Sequence, residues 1–181
     1  MVIDATTNQF EFITASHGDA AVIAAIHTES WKENYSSILN KVYLEKEIDY
    51  ERNVYWSNAL KQNDYWQVIL AHSYNNVVGF IAAKIDTEPE YDVTVEHLHV
   101  LAEFQGHGLG KSLLYRMALI CSQHSKSTLC LRVFEENVKA IRFYESMGAV
   151  TDHYGIDNFA DSQAPDRRMG WTNLRPLLDL E

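Results

Sequence analysis

The stretch Gln105-Gly106-His107-Gly108-Leu109-Gly110 decides how the chain is interpreted, because three glycines alternate directly before a helical pattern. Glycine lets the backbone turn tightly and approach a ligand without interference from a Cβ atom. A helix that begins here would present unpaired N–H groups and the positive end of its dipole at the same point. That combination suits a phosphate or a pyrophosphate. The stretch therefore predicts a phosphate site at a helix N-terminus.

The spacing of these glycines does not match the two familiar nucleotide-binding loops. A Walker A loop ending in Gly110-Lys111-Ser112 needs its first glycine at the position of Gln105. The Rossmann fingerprint Gly-x-Gly-x-x-Gly needs a glycine at Lys111 or at Leu113. An enzyme that binds a nucleotide phosphate through Gly110-Lys111-Ser112 stays a hypothesis, and the missing first glycine counts against it.

Length and composition predict a single soluble domain. The chain has 181 residues, of which 46% are hydrophobic and 22% charged. No apolar run reaches the length of a membrane span, and the first residues lack the basic region of a secretory signal. The cysteines, Cys121 and Cys130, match no metal spacing and suit free thiols in a reducing compartment. We expect one domain over residues 1–181, with its core at about 10–172, in the cytoplasm and without a membrane partner.

The chain is acidic, with a formal net charge of −10. Nucleic acid is disfavoured as a partner, because neutralising phosphates needs clustered lysine and arginine. The charge is compatible with a cationic substrate, although an acidic surface also serves solubility alone.

The spacing of apolar residues predicts a mixed α/β fold with a largely antiparallel sheet. The predicted order is β-α-α-β-β-β-α-β-α-β-β, with the glycine stretch between the fourth strand and the third helix. Gly148 is expected to end the fourth helix in a left-handed conformation, and a polar loop is expected around Pro165. Strands are predicted at 10–14, 66–71, 77–83, 93–101, 128–134, 149–156 and 167–173, and helices at 19–33, 41–62, 109–121 and 137–148.

A second motif follows about thirty residues later and reads Asn137-Val138-Lys139-Ala140-Ile141-Arg142-Phe143-Tyr144-Glu145-Ser146-Met147-Gly148-Ala149. Together with the glycine stretch, it resembles the GNAT superfamily of acyl-CoA-dependent N-acyltransferases. That family has a loop of the form Gln/Arg-x-x-Gly-x-Gly/Ala and a later helix of the form Asn-x-x-Ala-x-x-Phe-Tyr-x-x-x-Gly. The order of elements is similar too, as is the segment Ser30-Trp31-Lys32-Glu33-Asn34-Tyr35. The resemblance covers about residues 10–172.

The resemblance implies acetyl-CoA as the acyl donor and no metal. In this family the backbone N–H groups of the loop hold the CoA pyrophosphate, and the pantetheine arm lies along the fourth strand. Asn137 would contact the cofactor, although asparagine is also an ordinary helix N-cap. The positions that match the family's cofactor-binding residues are Leu98, Val100, Gln105, Gly106, His107, Gly108, Leu109, Gly110, Lys111, Asn137 and Tyr144.

The resemblance also implies an acid and a base. Tyr144 matches the tyrosine that protonates the leaving thiolate, and a phenol with an ordinary pKa near 10 holds its proton at neutral pH. Glu96 on the fourth strand is the first candidate for the base. In a regular strand His97 and His99 face away from it, but a bulge of the kind this family has exchanges the faces. His97, His99 or a chain of water molecules therefore stay open as alternatives.

The implied reaction is transfer of an acetyl group to a primary amine by direct attack within a ternary complex. Neither cysteine falls in a motif, so no covalent enzyme intermediate is expected. A small-molecule amine is the expected acceptor, with a protein N-terminus or lysine as alternatives. A non-catalytic CoA-binding or sensory module on the same fold is a competing hypothesis, and family likeness alone suggests a homodimer. The residues expected to line the acceptor site are Trp31, Tyr35, Glu88, Glu90, Tyr91 and Asp92.

Overall fold

The computed structural model describes residues 10–61, 65–159 and 162–180. Seven strands form one sheet, and the predicted fold class and order of elements are confirmed. The strands are β1 (Glu11–Thr14), β2 (Trp66–Ser73), β3 (Asn76–Glu88), β4 (Tyr91–Val100), β5 (Leu129–Phe134), β6 (Val150–Phe159) and β7 (Ser162–Trp171). The helices are α1 (Ala20–Asn34), α2 (Ile48–Ala59), α3 (Leu109–Gln123), α4 (Val138–Ser146) and α5 (Arg175–Leu178).

The sheet has the strand order β1-β2-β3-β4-β5-β7-β6. Its two central strands, β4 and β5, are parallel, and the other neighbouring strands are antiparallel. Among the described residues, no helix is both long and apolar enough to cross a membrane.

The polar loop predicted around Pro165 is wrong. The last two strands are longer than their apolar pattern suggested, and Pro165 lies inside β7 opposite Ile156 of β6. Proline has no N–H to donate to a strand ladder. The pairing of β7 with β5 begins only at Asp166, and the Pro165 carbonyl accepts a hydrogen bond of 2.9 Å from the Glu135 amide. The strand therefore tolerates the proline at this position.

Helices cover both faces of the sheet. On one face α3 buries Leu113, Leu114 and Met117, which have no exposed surface. Met117 follows Leu114 by three residues and Leu113 by four, so the three side chains share one side of the helix. On the other face α1 and α2 bury Ile23 and Trp56 against β2 and β3. Each large apolar side chain that is removed from water in this way contributes about 1.5–3 kcal/mol. The sheet is thus fixed from both sides, except where β4 and β5 separate.

A β-bulge in β4 causes this separation. The register of β4 against β3 skips Glu96, because Val95 lies opposite Ala83 and His97 lies opposite Ala82. Pairing of β4 with β5 is confined to residues 93–95 and stops just before the bulge. The two central strands therefore diverge from Glu96 onward.

The bulge also exchanges the faces of β4, as the sequence predicted for a bulged strand. Before it, Val93 and Val95 pack into the core beneath α3, and after it Leu98 and Val100 do so. The two histidines that alternate with Leu98 and Val100 consequently turn toward α1 and α2.

Candidate active site

A cleft of about 880 Å³ opens where β4 and β5 diverge. Its walls come from both central strands, the starts of α3 and α4, the helices α1 and α2, and the last two strands. The predicted residues that line it are Glu96, His97, Leu98, His99, Val100, Gln105, Gly106, Gly108, Leu109, Gly110, Lys111, Asn137 and Tyr144. The predicted residue His107 is exposed on the glycine loop instead.

Two glycines give the loop its shape. Gly106 and Gly108 have φ values of +79° and +78°, a left-handed conformation that strains other residues. A Cβ atom at either position would meet no atom within 4 Å. Glycine is therefore required there by the backbone conformation and not by a lack of space.

A row of backbone amides is left free at the end of this loop. The Gln105 amide donates to the Ala102 carbonyl (3.2 Å), and the Ser112 amide donates to the Gly108 carbonyl (3.0 Å). The amides between them, from Gly106 to Lys111, donate to no group among residues 10–61, 65–159 and 162–180. These amides lie at the N-terminus of α3, where the helix dipole is positive. The loop thus has the N–H groups that an anion needs.

Gln105 takes a different part from the neighbouring residues. The Gln105 N–H already donates to the Ala102 carbonyl in the turn before the loop. It therefore differs from the other amides that were predicted to hold the pyrophosphate, which have no such acceptor among the described residues. Its side-chain Nε2 donates to the Val100 carbonyl (2.9 Å), and its Oε1 accepts a hydrogen bond from Lys139. Gln105 therefore holds the loop against the end of β4 and the start of α4.

The edge of β4 beyond the bulge offers free backbone groups to the cleft. The Leu101 amide donates to the Val78 carbonyl (3.0 Å) on the side of β3. Backbone groups of successive strand residues point to opposite sides. Leu98 and Val100 therefore direct their N–H and C=O groups toward the gap that β5 has left. The Val100 carbonyl already accepts a hydrogen bond from the Gln105 Nε2 (2.9 Å). The Val100 N–H and the N–H and C=O of Leu98 are therefore the groups with which a pantetheine arm would pair.

Asn137 and Tyr144 of the second motif line the cleft from α4 and its N-cap. The Asn137 Oδ1 accepts a hydrogen bond from the Ala140 amide (3.1 Å), so Asn137 is the N-cap of α4. Its Nδ2 donates to the Tyr35 hydroxyl (3.5 Å), and its contact with a cofactor stays a prediction. Tyr144 is 9% exposed and lines the cleft. Burial raises the pKa of Tyr144, with a smaller contribution from Tyr35, so the phenol keeps its proton.

Glu96 stands at the bulge itself, where its side chain lines the cleft and is 30% exposed. Its Oε1 lies 3.8 Å from the Lys84 Nζ. The ammonium group of Lys84 also lies 4.4 Å from the ring centre of Trp66. The carboxylate thus lies near the point where the strands diverge, and its one ion pair among the described residues is the loose contact with Lys84.

The two histidines of β4 are held from the side of α1 and α2. The His97 Nε2 lies 3.1 Å from the Tyr55 hydroxyl, and the His99 Nδ1 lies 2.8 Å from the Ser30 Oγ. Burial lowers the pKa of both imidazoles, and the charge of Arg52 lowers it further, to about 3 for His99. Both rings are therefore neutral at physiological pH and are weak proton acceptors.

A third histidine, which the sequence did not predict for the site, completes this cluster. The His27 ring is completely buried and stacks on His99 with 4.7 Å between ring centres. Its Nδ1 accepts a hydrogen bond from the Trp56 Nε1 (3.0 Å), and its Nε2 has no partner among the described residues. In a neutral imidazole with Nδ1 as acceptor, Nε2 carries the proton.

The histidine cluster has the size of a metal site but not its chemistry. One ring nitrogen from each of His27, His97 and His99 lies within 4.8 Å of the others. A metal ligand must offer a lone pair, however, and the bond from Trp56 leaves the His27 Nε2 protonated. The charge of Arg52, which lowers the pKa of all three rings, also opposes a cation here.

The acceptor side of the cleft was predicted only in part. Trp31, Tyr35 and Glu88 do line it. Placing Glu90, Tyr91 and Asp92 there is wrong, because each side chain is engaged at the far end of the sheet. Glu90 pairs with Arg168 (2.7 Å), the Tyr91 hydroxyl donates to Asp152 (2.7 Å), and Asp92 accepts hydrogen bonds from the segment just before β5.

Sequence reasoning missed several residues on this side. Arg52 lines the cleft although it is only 3% exposed, and Asp157 and Phe159 line it from β6. Burial, and then the nearby Asp166, raise the pKa of Asp157. The sequence carries no local signal for them, because Arg52 lies on a helix rich in polar residues and the predicted last strands were too short.

The two cysteines are buried away from the cleft lining. Burial raises the pKa of both Cys121 and Cys130 to about 11, so both are protonated thiols near neutral pH. A thiol nucleophile needs the thiolate form. The geometry therefore gives neither cysteine the character of a covalent catalyst.

The glycine loop, α3 and α4 fall inside one family pattern, together with most of the residues that line the cleft. The model of the acetyltransferase (GNAT) family matches residues 23–149, which is most of the chain. This chain belongs to the acetyltransferase (GNAT) family. It is thus a member of a family of N-acetyltransferase enzymes, and the resemblance seen in its sequence is confirmed.

Individual relatives agree with this assignment. The chain is 29% identical over 167 residues to the uncharacterized N-acetyltransferase YuaI of Bacillus subtilis (strain 168), covering 90% of this chain and 92% of that protein. Its fold is similar to the PaiA N-acetyltransferase of Thermoplasma acidophilum in complex with coenzyme A, with a TM-score of 0.68, 20% identity, and 87% and 97% of the two chains covered. It is also similar to YncA of Salmonella typhimurium, a putative acetyltransferase solved with its cofactor acetyl-CoA (TM-score 0.65, 19% identity, 91% and 94% covered).

Proposed function

We propose that this protein transfers an acetyl group from acetyl-CoA to the primary amine of a small molecule. The observation that carries the proposal is the row of free amides from Gly106 to Lys111 at one end of the gap between β4 and β5. A pyrophosphate fits such a row, because a helix N-terminus favours negative charge and supplies N–H donors. The coenzyme A found with the relative of similar fold supports this choice of phosphate carrier.

In this proposal the pantetheine arm replaces the missing part of β5. Its amides pair with the backbone of Leu98 and Val100, which points into the gap. The thioester then lies near the bulge, between Glu96 on β4 and Tyr144 on α4, both of which line the cleft. An N–H of the β4 edge is suitably placed to polarise the thioester carbonyl.

This placement of the thioester determines which residues act as the acid and the base. The neutral amine attacks the thioester carbonyl, so a C–N bond forms while the C–S bond breaks. Tyr144 gives its proton to the leaving sulfur, and Glu96 takes the proton that the amine loses, directly or through water. His97 and His99 are less suited to be the base, because burial and Arg52 hold their pKa values low. Transfer of the amine proton to His97 or His99 through water remains the alternative.

A non-catalytic CoA-binding module is the competing function. It would use the same loop and the same edge of β4 but would have no need of an acid or a base in the cleft. The buried phenol of Tyr144 on α4 and the carboxylate of Glu96 on β4, which line the same cleft, favour the enzyme.

The proposal is tested by a screen of primary amines with acetyl-CoA, in which the released CoA thiol is measured. We expect thiol release that depends on both an amine and the protein. Binding is checked in parallel, because a ligand that binds the folded state raises its melting temperature. Stabilisation by acetyl-CoA without thiol release from any amine would favour the binding module. Stabilisation by ATP but not by acetyl-CoA would favour the nucleotide enzyme.

Replacing Tyr144 tests whether its hydroxyl acts as the general acid. We expect Tyr144→Phe to lower kcat by about 10²-fold or more, since a placed proton donor contributes about 10²–10⁴ in rate. The dissociation constant of acetyl-CoA should stay nearly the same. Tyr35→Phe is the matched control, because it removes another hydroxyl from the same cleft and should leave kcat much closer to that of the wild type. A kcat of Tyr144→Phe equal to that of the wild type would remove Tyr144 from the mechanism.

The base is tested by the pH dependence of kcat/KM. We expect Glu96→Gln to lower kcat/KM near neutral pH by about 10²-fold and to alter the acidic limb of the profile. Lys84→Met is the control, because it breaks the same ion pair and keeps the carboxylate, so the limb should persist. An unchanged profile in Glu96→Gln would assign the proton instead to the path through His97 and His99.

A further inference from the structure

Arg52 is a buried cation in the acceptor half of the cleft. It lies on α2, is 3% exposed, and lines the cleft. Its guanidinium carbon lies 5.0 Å from the ring centre of Trp31, 4.7 Å from that of Tyr55 and 5.5 Å from that of Phe159. Guanidinium groups pack well against aromatic faces. Rings from three different elements, α1, α2 and β6, thus hold this charge in one place.

The pairing of this charge within the protein is incomplete. One amino group of Arg52 donates to the neighbouring Glu51, whose side chain is 42% exposed and which also accepts the Tyr43 hydroxyl. The Nε of Arg52 is buried and has no hydrogen-bond partner in the described part of the chain. A buried charge with unsatisfied donors is costly. The buried, incompletely paired guanidinium therefore lowers the stability of the folded protein. A ligand with an anionic group would offset this cost by accepting hydrogen bonds from Arg52.

Tyr55 connects Arg52 with β4, the strand that carries the proposed base. Its ring packs against the guanidinium and its hydroxyl lies 3.1 Å from the His97 Nε2. His97 is the next residue after Glu96, the proposed base. One tyrosine side chain thus bridges Arg52 and His97.

We infer that the acceptor amine also carries a carboxylate, as an amino acid does, and that Arg52 binds this carboxylate while the amine faces the thioester. This substrate class rests on the proposed acetyl transfer. The planar fork of a guanidinium matches a carboxylate, and hydrogen bonds between charged groups are stronger than neutral ones. A polyamine would instead place a second positive charge beside Arg52, so this class of acceptor is disfavoured.

The remainder of the acceptor side suits such a molecule. Trp31 and Tyr35 supply an aromatic wall with 5.6 Å between their ring centres, and Phe159 closes it from β6 with 5.1 Å to Trp31. These rings can pack against the apolar part of an amino acid. An anion at Arg52 would also offset the positive charge that lowers the pKa of His99. The bound substrate would thus improve the histidines as proton acceptors.

The inference is tested with matched pairs of acceptors that differ only at the carboxylate. Phenylalanine is compared with phenylalanine amide and phenethylamine, and methionine with methionine amide. Thiol release from acetyl-CoA gives kcat/KM for each. We expect the wild type to prefer the carboxylate by about 10-fold or more, the effect of one charge-assisted hydrogen bond. A wild type that prefers the amides and the simple amine would overturn the inference.

The variant Arg52→Gln identifies the residue responsible. It should reduce the ratio of kcat/KM for amino acid over amide by about 10-fold or more, and Arg52→Lys should restore part of it. Arg175→Gln is the control, because this exposed arginine pairs only loosely with Asp179 (3.8 Å) and should keep the wild-type ratio. Stabilisation of Arg52→Gln by acetyl-CoA shows that the variant is folded.

The outcomes separate the two proposals. No thiol release with any amine contradicts the proposed function. Release that is equally fast for amino acids and amides, or a ratio that Arg52→Gln leaves unchanged, contradicts the carboxylate site alone and leaves acetyl transfer standing.

Discussion

The separation of β4 from β5 at a single bulged residue is the constraint on which the rest of the site depends. Pairing stops at Val95, and Glu96 has no partner in β3. An unpaired strand edge inside a sheet leaves backbone groups without hydrogen bonds, which is costly unless a ligand or water takes them. In this protein the same divergence creates the cleft, frees the edge at Leu98 and Val100, and turns His97 and His99 toward the acceptor side.

The two halves of the cleft differ in their electrostatics. The donor half ends in free amides and a helix N-terminus, which favour a phosphate without any buried charge. The acceptor half contains the buried cation Arg52 beside histidines whose rings are neutral, and the carboxylates of Glu88 and Asp157 line the same cleft. The charge of Arg52 and the burial of the cluster together make protonation unfavourable there. An acceptor with its own negative group would balance the charge of Arg52, whereas a purely cationic one would not.

The sequence could predict the parts of the site that depend on local backbone chemistry. The glycine loop and the capping of α4 by Asn137 follow from positive φ values and from hydrogen bonds within a few residues. The bulge was predicted only as a property of the family. Arg52 and His27 were missed because their burial arises from packing between distant elements, and the wrong extent of β6 and β7 hid Asp157 and Phe159.

Amide hydrogen exchange with and without acetyl-CoA tests most directly whether the gap between β4 and β5 holds the acyl donor. The amides from Gly106 to Lys111 have no partner among the described residues, so they should exchange rapidly in the free protein. The account predicts that saturating acetyl-CoA slows exchange at these amides and at Leu98 and Val100, and that ATP does not. Unchanged exchange at both places, or equal protection by ATP, would contradict it.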